Sequence, residues 1–261
     1  MSVETVLVTG ASSGIGLELA RCFAADGCKL ILLSRKRDAL NAVADRLRRE
    51  HKTHAEVLPA DLTEPSAPQR IFSHLETAGT KVDVLVNNAG FGAKGNFAEL
   101  PLARQLELVQ VNLTALTHLT RLFLPGMISR RRGGVLNVVS TAAFQPGPGM
   151  AVYYATKAYG LSFSEAVAEE VAGTGVTVTA LCPGPTATNF FTGANSKPSR
   201  FFEKAAMSAE AVARIGHDAY RRGRVTVVAG AVNRALAFST RLAPRAVARK
   251  LTKYLNAAGT S

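Results

Sequence analysis

The chain has 261 residues, of which 47% are hydrophobic and 19% charged. That describes a globular chain with a substantial core and excludes a disordered tail, a collagen-like fibre and a cysteine-stapled module. Its net charge is +12, and residues 200–261 hold 12 of the basic side chains against 3 acidic ones, so one end is strongly basic and the rest nearly neutral.

Cys22, Cys28 and Cys182 form no C-x-x-C pair and read as reduced thiols, and the histidines do not join them in a metal site. With no secretory leader and no apolar run long enough to span a bilayer, a cytoplasmic protein is expected.

Short β-branched runs alternate with longer stretches of helical period. A strand over 5–8 runs into Thr9-Gly10-Ala11-Ser12-Ser13-Gly14-Ile15-Gly16, and a helix follows over 14–25. The glycines allow a sharp turn and close approach, while the helix start offers free N–H groups and a positive dipole end. The segment suits a pyrophosphate, with a plain strand–helix turn as the alternative. A second strand over 29–33 ends at Ser34-Arg35-Lys36-Arg37, before a helix over 37–50. In a dinucleotide fold this end faces the adenosine ribose, where an acid would bind a free 2′-hydroxyl. Ser34 and three cations instead favour the 2′-phosphate of NADP(H) over NAD(H). A basic first turn opposes the helix dipole, which argues against a merely solvated turn.

The third strand (55–58) leads into Asp61-Leu62 and a helix over 65–77. The fourth (82–86) leads into Asn87-Asn88-Ala89-Gly90, whose small residues let backbone approach a ligand. Either loop alone reads as an ordinary turn. A long helix is expected over 102–129. The fifth strand (135–139) ends at Ser140, and the helix after it (151–172) carries Tyr153 and Lys157 one turn apart on one face. A free tyrosine ionises near about pH 10, but a lysine and a cationic nicotinamide both favour the phenolate and pull it toward the working range. Tyr154 is out of register with Lys157 and reads as packing or pocket lining.

After the sixth strand (176–181), the segment from Gly184 to about Lys204 has no period. At the C-terminal edge of an open α/β sheet such a loop suits a substrate lid, placed near 185–205. A helix over 209–221, a strand over 225–228 and a last helical stretch over about 231–258, bent or broken at Pro244, complete the chain. In that stretch Leu236, Leu242, Val247, Leu251 and Leu255 interleave with Arg234, Arg241, Arg245, Arg249, Lys250 and Lys253. It reads as a solvated helix covering the end of the sheet, as a subunit contact, or as peripheral attachment to anionic lipid. Nucleic-acid binding would rest on charge alone and is not expected.

Strict alternation predicts an α/β fold: a Rossmann-like, doubly wound parallel sheet of about seven strands in one domain, with helices on both faces. Residues 1–230 would hold the dinucleotide-binding and catalytic part, and residues 231–261 a basic helical extension of it.

Taken in order, TGASSGIG, DL, NNAG, Asn112 in VQVNLTA, VVS, YxxxK and PGPTAT resemble the short-chain dehydrogenase/reductase family over essentially the whole chain. The T-G-x3-G-x-G turn fits its short, reductase-type members. The resemblance implies that Tyr153 gives a proton to, or takes one from, the substrate oxygen, and that Ser140 is the second donor to that oxygen. It places Lys157 at the nicotinamide ribose, lowering the Tyr153 pKa, and has Asn112 bend its helix around a water that connects Lys157 to solvent. It assigns cofactor contacts to Gly10, Ser12, Ser13, Ile15, Arg35, Asp61, Asn88 and Thr188, and sets Pro183-Gly184-Pro185-Thr186 over the nicotinamide. Thr186 departs from the family's usual aliphatic residue, which weakens that last contact.

The whole implies an NADP(H)-dependent carbonyl reductase that interconverts a ketone or aldehyde and an alcohol, assembled as a homodimer or homotetramer. An NAD-linked alcohol dehydrogenase and a non-catalytic nucleotide sensor or scaffold are the alternatives. Phe91, Phe144, Phe190, Phe191, Phe201 and Phe202 fall near the expected pocket mouth and point to an apolar substrate, or else anchor the lid.

Overall fold

Valine, leucine and isoleucine on both faces of the central strands leave the sheet no face that water can cover, so helices must close it on both sides. The structure, a computed structural model, describes residues 3–188 and 206–257. In chain order its strands are β1 (Thr5–Thr9), β2 (Lys29–Ser34), β3 (Ala55–Pro59), β4 (Val84–Asn87), β5 (Gly133–Val138), β6 (Val176–Cys182), the short β7 (Thr186–Ala187) and β8 (Met207–Ser208), and β9 (Thr226–Val228). Seven of them form one parallel sheet in the order β3-β2-β1-β4-β5-β6-β9. The helices are α1 (Gly14–Ala25), α2 (Arg37–His51), α3 (Ala67–Thr77), α4 (Leu102–Val109), α5 (Leu116–Ser129), α6 (Ala151–Glu170), α7 (Ala209–Arg221), α8 (Ala231–Leu242) and α9 (Arg245–Ala257).

Period-two alternation sends successive side chains of a strand to opposite layers. Val6 and Val8 pack with Leu19 and Phe23 of α1, Leu40 and Leu47 of α2 and Tyr220 of α7. Leu7 between them points the other way, to Ile71 of α3, Leu119 and Phe123 of α5 and Val167 of α6. Asp83 ties the lower edge of the sheet together. Its Oδ2 accepts from the Thr5 amide at 3.0 Å and from Arg132 Nη2 at 3.0 Å, with Arg130 Nε 3.8 Å from Oδ1.

One expectation changes in detail and another is narrowed. The single helix over 102–129 is α4 and α5 joined by a π-helical turn, Gln110–Ala115. The extra residue in that turn lets Asn112 reach inward to the backbone of Phe91, accepting from its N–H at 3.1 Å and donating to its carbonyl at 3.0 Å. The last helical stretch is broken, not bent, at Pro244, giving α8 and α9. Residues 189–205 of the expected lid, with Phe190, Phe191, Phe201 and Phe202, lie outside the described residues. Their described flanks, β7 and β8, pair in parallel, Thr186 beside Met207 and Ala187 beside Ser208.

Candidate active site

The winding of the sheet reverses between β1 and β4, which opens a crevice at the carboxyl ends of those strands. Thr9 laces the two ends: its Oγ1 accepts from the amides of Asn88 and Ala89, each at 2.9 Å, and its carbonyl accepts from Asn88 Nδ2 at 2.9 Å. The glycine turn packs against this knot. Gly10 has φ +67°, and a Cβ there would come within 2.8 Å of Asn88 Nδ2. At Gly16 an added Cβ would meet the same nitrogen at 2.3 Å and the Gly10 carbonyl at 2.5 Å, so only glycine lets α1 start this close to the loop after β4.

A cleft of about 670 Å³ opens above. Ser12, Ser13, Gly14 and Ile15 line its start, Arg35, Asp61 and Leu62 its far rim, and Asn88, Ala89 and Gly90 its floor. Ser140, Tyr153, Lys157, Pro183, Gly184, Thr186 and Thr188 complete the wall on the β5–β6 side. Of the catalytic and cofactor-binding residues expected from the sequence, Gly16 and Asn112 stand behind the lining, Gly16 under the turn and Asn112 beneath Phe91. The residues fit a nicotinamide dinucleotide. Ser34 Oγ is buried with no hydrogen-bond partner among the described residues, next to the exposed Arg35, for which no ion pair occurs among them. Asp61 is held at the rim by an Asx turn in which its Oδ1 accepts from Thr63 N at 2.9 Å and Thr63 Oγ1 at 2.8 Å.

The β5–β6 ladder extends past the strand ends: Val139 N donates to Leu181 O and Thr141 N to Pro183 O, each at 2.7 Å. That extension sets Ser140 beside Pro183. Ser140 Oγ accepts from the Ala142 amide at 3.0 Å and is hydrogen-bonded to the Tyr153 hydroxyl. One turn along α6, Lys157 Nζ donates to the Val138 carbonyl at 3.0 Å and lies 5.8 Å from the Tyr153 ring centroid. Asn112 Nδ2 reaches Thr156 Oγ1 at 3.2 Å, and an added Cβ at Gly90 would lie 3.0 Å from Asn112 Oδ1 and 3.6 Å from Lys157 Nζ. Asn112, Gly90 and Lys157 are therefore neighbours.

Burial governs the ionisation of this group. It pushes the Tyr153 phenol up to about 12, against the lowering effect of the Ser140 hydrogen bond. It pushes the Lys157 ammonium down to about 8. The sequence-based expectation that Lys157 pulls Tyr153 toward neutrality is corrected to this extent: within the protein alone desolvation wins, and Lys157 directs its ammonium to a backbone carbonyl.

The sequence reading missed one wall of the cleft. Leu236 of α8 and Val247, Leu251 and Leu255 of α9 line it together with Met150 and Tyr154. The stripe at Val247, Leu251 and Leu255 thus faces the cleft and not only solvent or a partner. Thr252 and Asn256 are buried on the adjoining face of α9, and no sequence signal marks that burial. Asn256 Nδ2 donates to the Pro148 carbonyl at 2.9 Å. Phe91 lines the cleft under Arg104, whose guanidinium lies 3.9 Å from the ring centroid, whereas Phe144 packs against the cluster of Val139, Leu161 and Cys182.

The family model described as short chain dehydrogenase matches residues 4–199. The bovine very-long-chain 3-oxoacyl-CoA reductase is 34% identical over 184 residues, 69% of this chain and 58% of that protein. A short-chain dehydrogenase from Sphingobium yanoikuyae, solved in complex with NADPH, superimposes with a TM-score of 0.81 at 31% identity, covering 92% of this chain and 93% of that one. One from Burkholderia phymatum, in complex with NAD, gives 0.82 at 25% identity, covering 97% and 96%. A matched sheet, a matched motif order and a family match over most of its length place this chain in the short-chain dehydrogenase/reductase family.

Proposed function

We propose that this oxidoreductase is NADP(H)-dependent and interconverts an apolar ketone or aldehyde and the corresponding alcohol. The observation that carries the reading is the Ser140–Tyr153 hydrogen-bonded pair, set in the same cleft as Arg35 and Ser34, which are unpaired among the described residues. When bound, NADPH supplies the hydride that goes to the carbonyl carbon. Tyr153 gives its phenolic proton to the carbonyl oxygen, and Ser140 donates a hydrogen bond to that oxygen as negative charge develops on it. A phenol held as high as about 12 is fully protonated at neutral pH, so the donor is loaded in the reductive direction. Lys157 orients the ribose and refills Tyr153, and Asn112 holds the π-helical turn against Phe91 and Thr156. Arg35 and Ser34 take the 2′-phosphate, Arg35 as a charged donor.

Leu236, Val247, Leu251 and Met150 give the substrate side an apolar lining, which suits a hydrophobic carbonyl compound. The bovine relative named for very-long-chain 3-oxoacyl-CoA supports the same class. The chain acts on this small molecule as a homodimer or homotetramer, with residues 1–230 carrying the chemistry, residues 231–261 closing the substrate side and residues 185–205 serving as a lid. Purified protein screened against carbonyl compounds of rising apolar size, with NADPH consumption read by absorbance, tests the proposal. Turnover with NADPH and increasingly apolar ketones is expected, whereas equal or better turnover with NADH would overturn the cofactor assignment.

A further inference from the structure

Among the described residues the outer faces of α8 and α9 have no partner, and their composition is unlike the rest of the surface. Seven of the eleven large apolar side chains exposed among the described residues lie on these two helices. Phe238 is 59% exposed, Leu242 76% and Tyr254 73%, and none of the three lines the cleft. Around them stand Arg234, Arg241, Arg245, Arg249, Lys250 and Lys253, with no acidic residue between 231 and 257. No ion pair to any of these six cations occurs among the described residues. The inner faces, by contrast, are fixed to the body: Ala237, Thr252 and Asn256 are buried, and Asn256 is bonded to Pro148 and Tyr154.

We propose that this face is a docking surface for an anionic lipid bilayer, seated so that the mouth of the substrate cleft opens onto the membrane. Three observations select that occupant. First, aliphatic and aromatic side chains rimmed by cations match an interface in which anionic headgroups meet the cations and the acyl boundary takes the apolar tips. A second copy docked by two-fold symmetry would bring six cations against six, on chains that each carry a net charge of +12. A single-stranded nucleic acid would require aromatic stacking platforms, but most of the exposed apolar side chains here are aliphatic.

Second, the apolar strip runs without a break into the cleft. Leu236, Val247 and Leu251 are each more than half exposed and also line the substrate side. A lipid-like carbonyl compound could pass along them without entering water. Third, no helix among the described residues is long and apolar enough to cross a membrane, so the contact is made on its surface. The inference deepens the proposed choice of an apolar substrate, but vesicle binding is measured without cofactor or substrate and stands or falls on its own.

Full-length protein is co-sedimented with vesicles of phosphatidylcholine alone and of phosphatidylcholine with about one-third phosphatidylserine, at low and high salt. Binding to the anionic vesicles that weakens with salt is expected. The double variant R249Q/K250Q should weaken it by roughly thirtyfold. F238S/L242S should lose most of it, while turnover of a water-soluble carbonyl compound and the thermal melt stay near wild type. No sedimentation with anionic vesicles at low salt, equal sedimentation with phosphatidylcholine alone, or binding untouched by both variants overturns the proposal. So does a fall in solution mass of F238S/L242S by light scattering, which would assign the face to a second copy.

Discussion

The Tyr154 hydroxyl donates to Asn256 Oδ1 at 3.3 Å, so the second of two adjacent tyrosines ties α6 to α9 while Tyr153 turns to Ser140. The rings meet edge to face, 6.0 Å between centroids. One residue of helical rotation separates the proposed proton donor from a structural clasp. Tyr153→Phe should therefore lower kcat by about a thousandfold with NADPH affinity nearly unchanged, since only the transferable proton is lost. Tyr154→Phe should keep most of the activity and lose about 1 kcal/mol of stability. Steady-state kinetics beside a urea titration reads both, and an inactive Tyr154 variant with an active Tyr153 variant would reverse the assignment.

Arg35→Asp exchanges the proposed donor to the 2′-phosphate for a charge that would repel it. NADPH affinity should fall by roughly tenfold to a hundredfold, while NADH affinity holds or improves. Fluorescence titration of the two cofactors against both proteins decides it.

The buried Lys157 gives a pH signature that needs no substrate. Its pKa falls from 10.5 in the unfolded chain to about 8 in the fold. Below about pH 8 both states hold the proton, and the full cost of burying the charge weighs against folding. Between about pH 8 and 10.5 the unfolded chain binds the proton that the folded chain has released, so this group's contribution to stability rises with pH. Lys157→Met removes that dependence. Denaturation of both proteins from pH 7 to pH 10 should show the difference in stability moving steadily in favour of wild type, and a constant difference would mean that the ammonium is not buried.

Leu251→Asn tests the helical wall. The KM for a large apolar ketone should rise about tenfold with kcat little altered, because an apolar contact shared by ground and transition states is removed. A small aldehyde that does not reach α9 should be handled as before.

Asp83→Asn probes the edge of the sheet remote from the cleft. Asp83 is 5% exposed and bonded to the Thr5 amide and Arg132. Its neutralisation strands partly buried cations and should cost about 3 kcal/mol by urea denaturation, with activity per folded molecule retained.

The strands were legible because their apolar runs are buried on both faces, and the turn at Gly10 and the pair at Tyr153 and Lys157 because each is local in sequence. The π-helical turn at Asn112 was not: residues 102–129 carry helical period throughout, and the added residue is set by a bond to Phe91, which is remote in sequence. Nor was the ionisation of Tyr153, which depends on how much protein surrounds it. The wall made by α9 was half legible. The stripe at Val247, Leu251 and Leu255 was evident, but which way it faces depends on the tie from Asn256 to Pro148, 108 residues away.

That tie has a consequence for how such a protein can change. The residues proposed to hold the cofactor or move the proton all precede position 189, whereas α8 and α9 come after position 230. The side chains through which the two parts meet include Asn256 with Pro148 and Tyr154, and Asn233 packed over Gly184. Under the proposed function, a descendant that rewrites α8 and α9 but keeps those clasps would change its substrate and keep the same hydride chemistry.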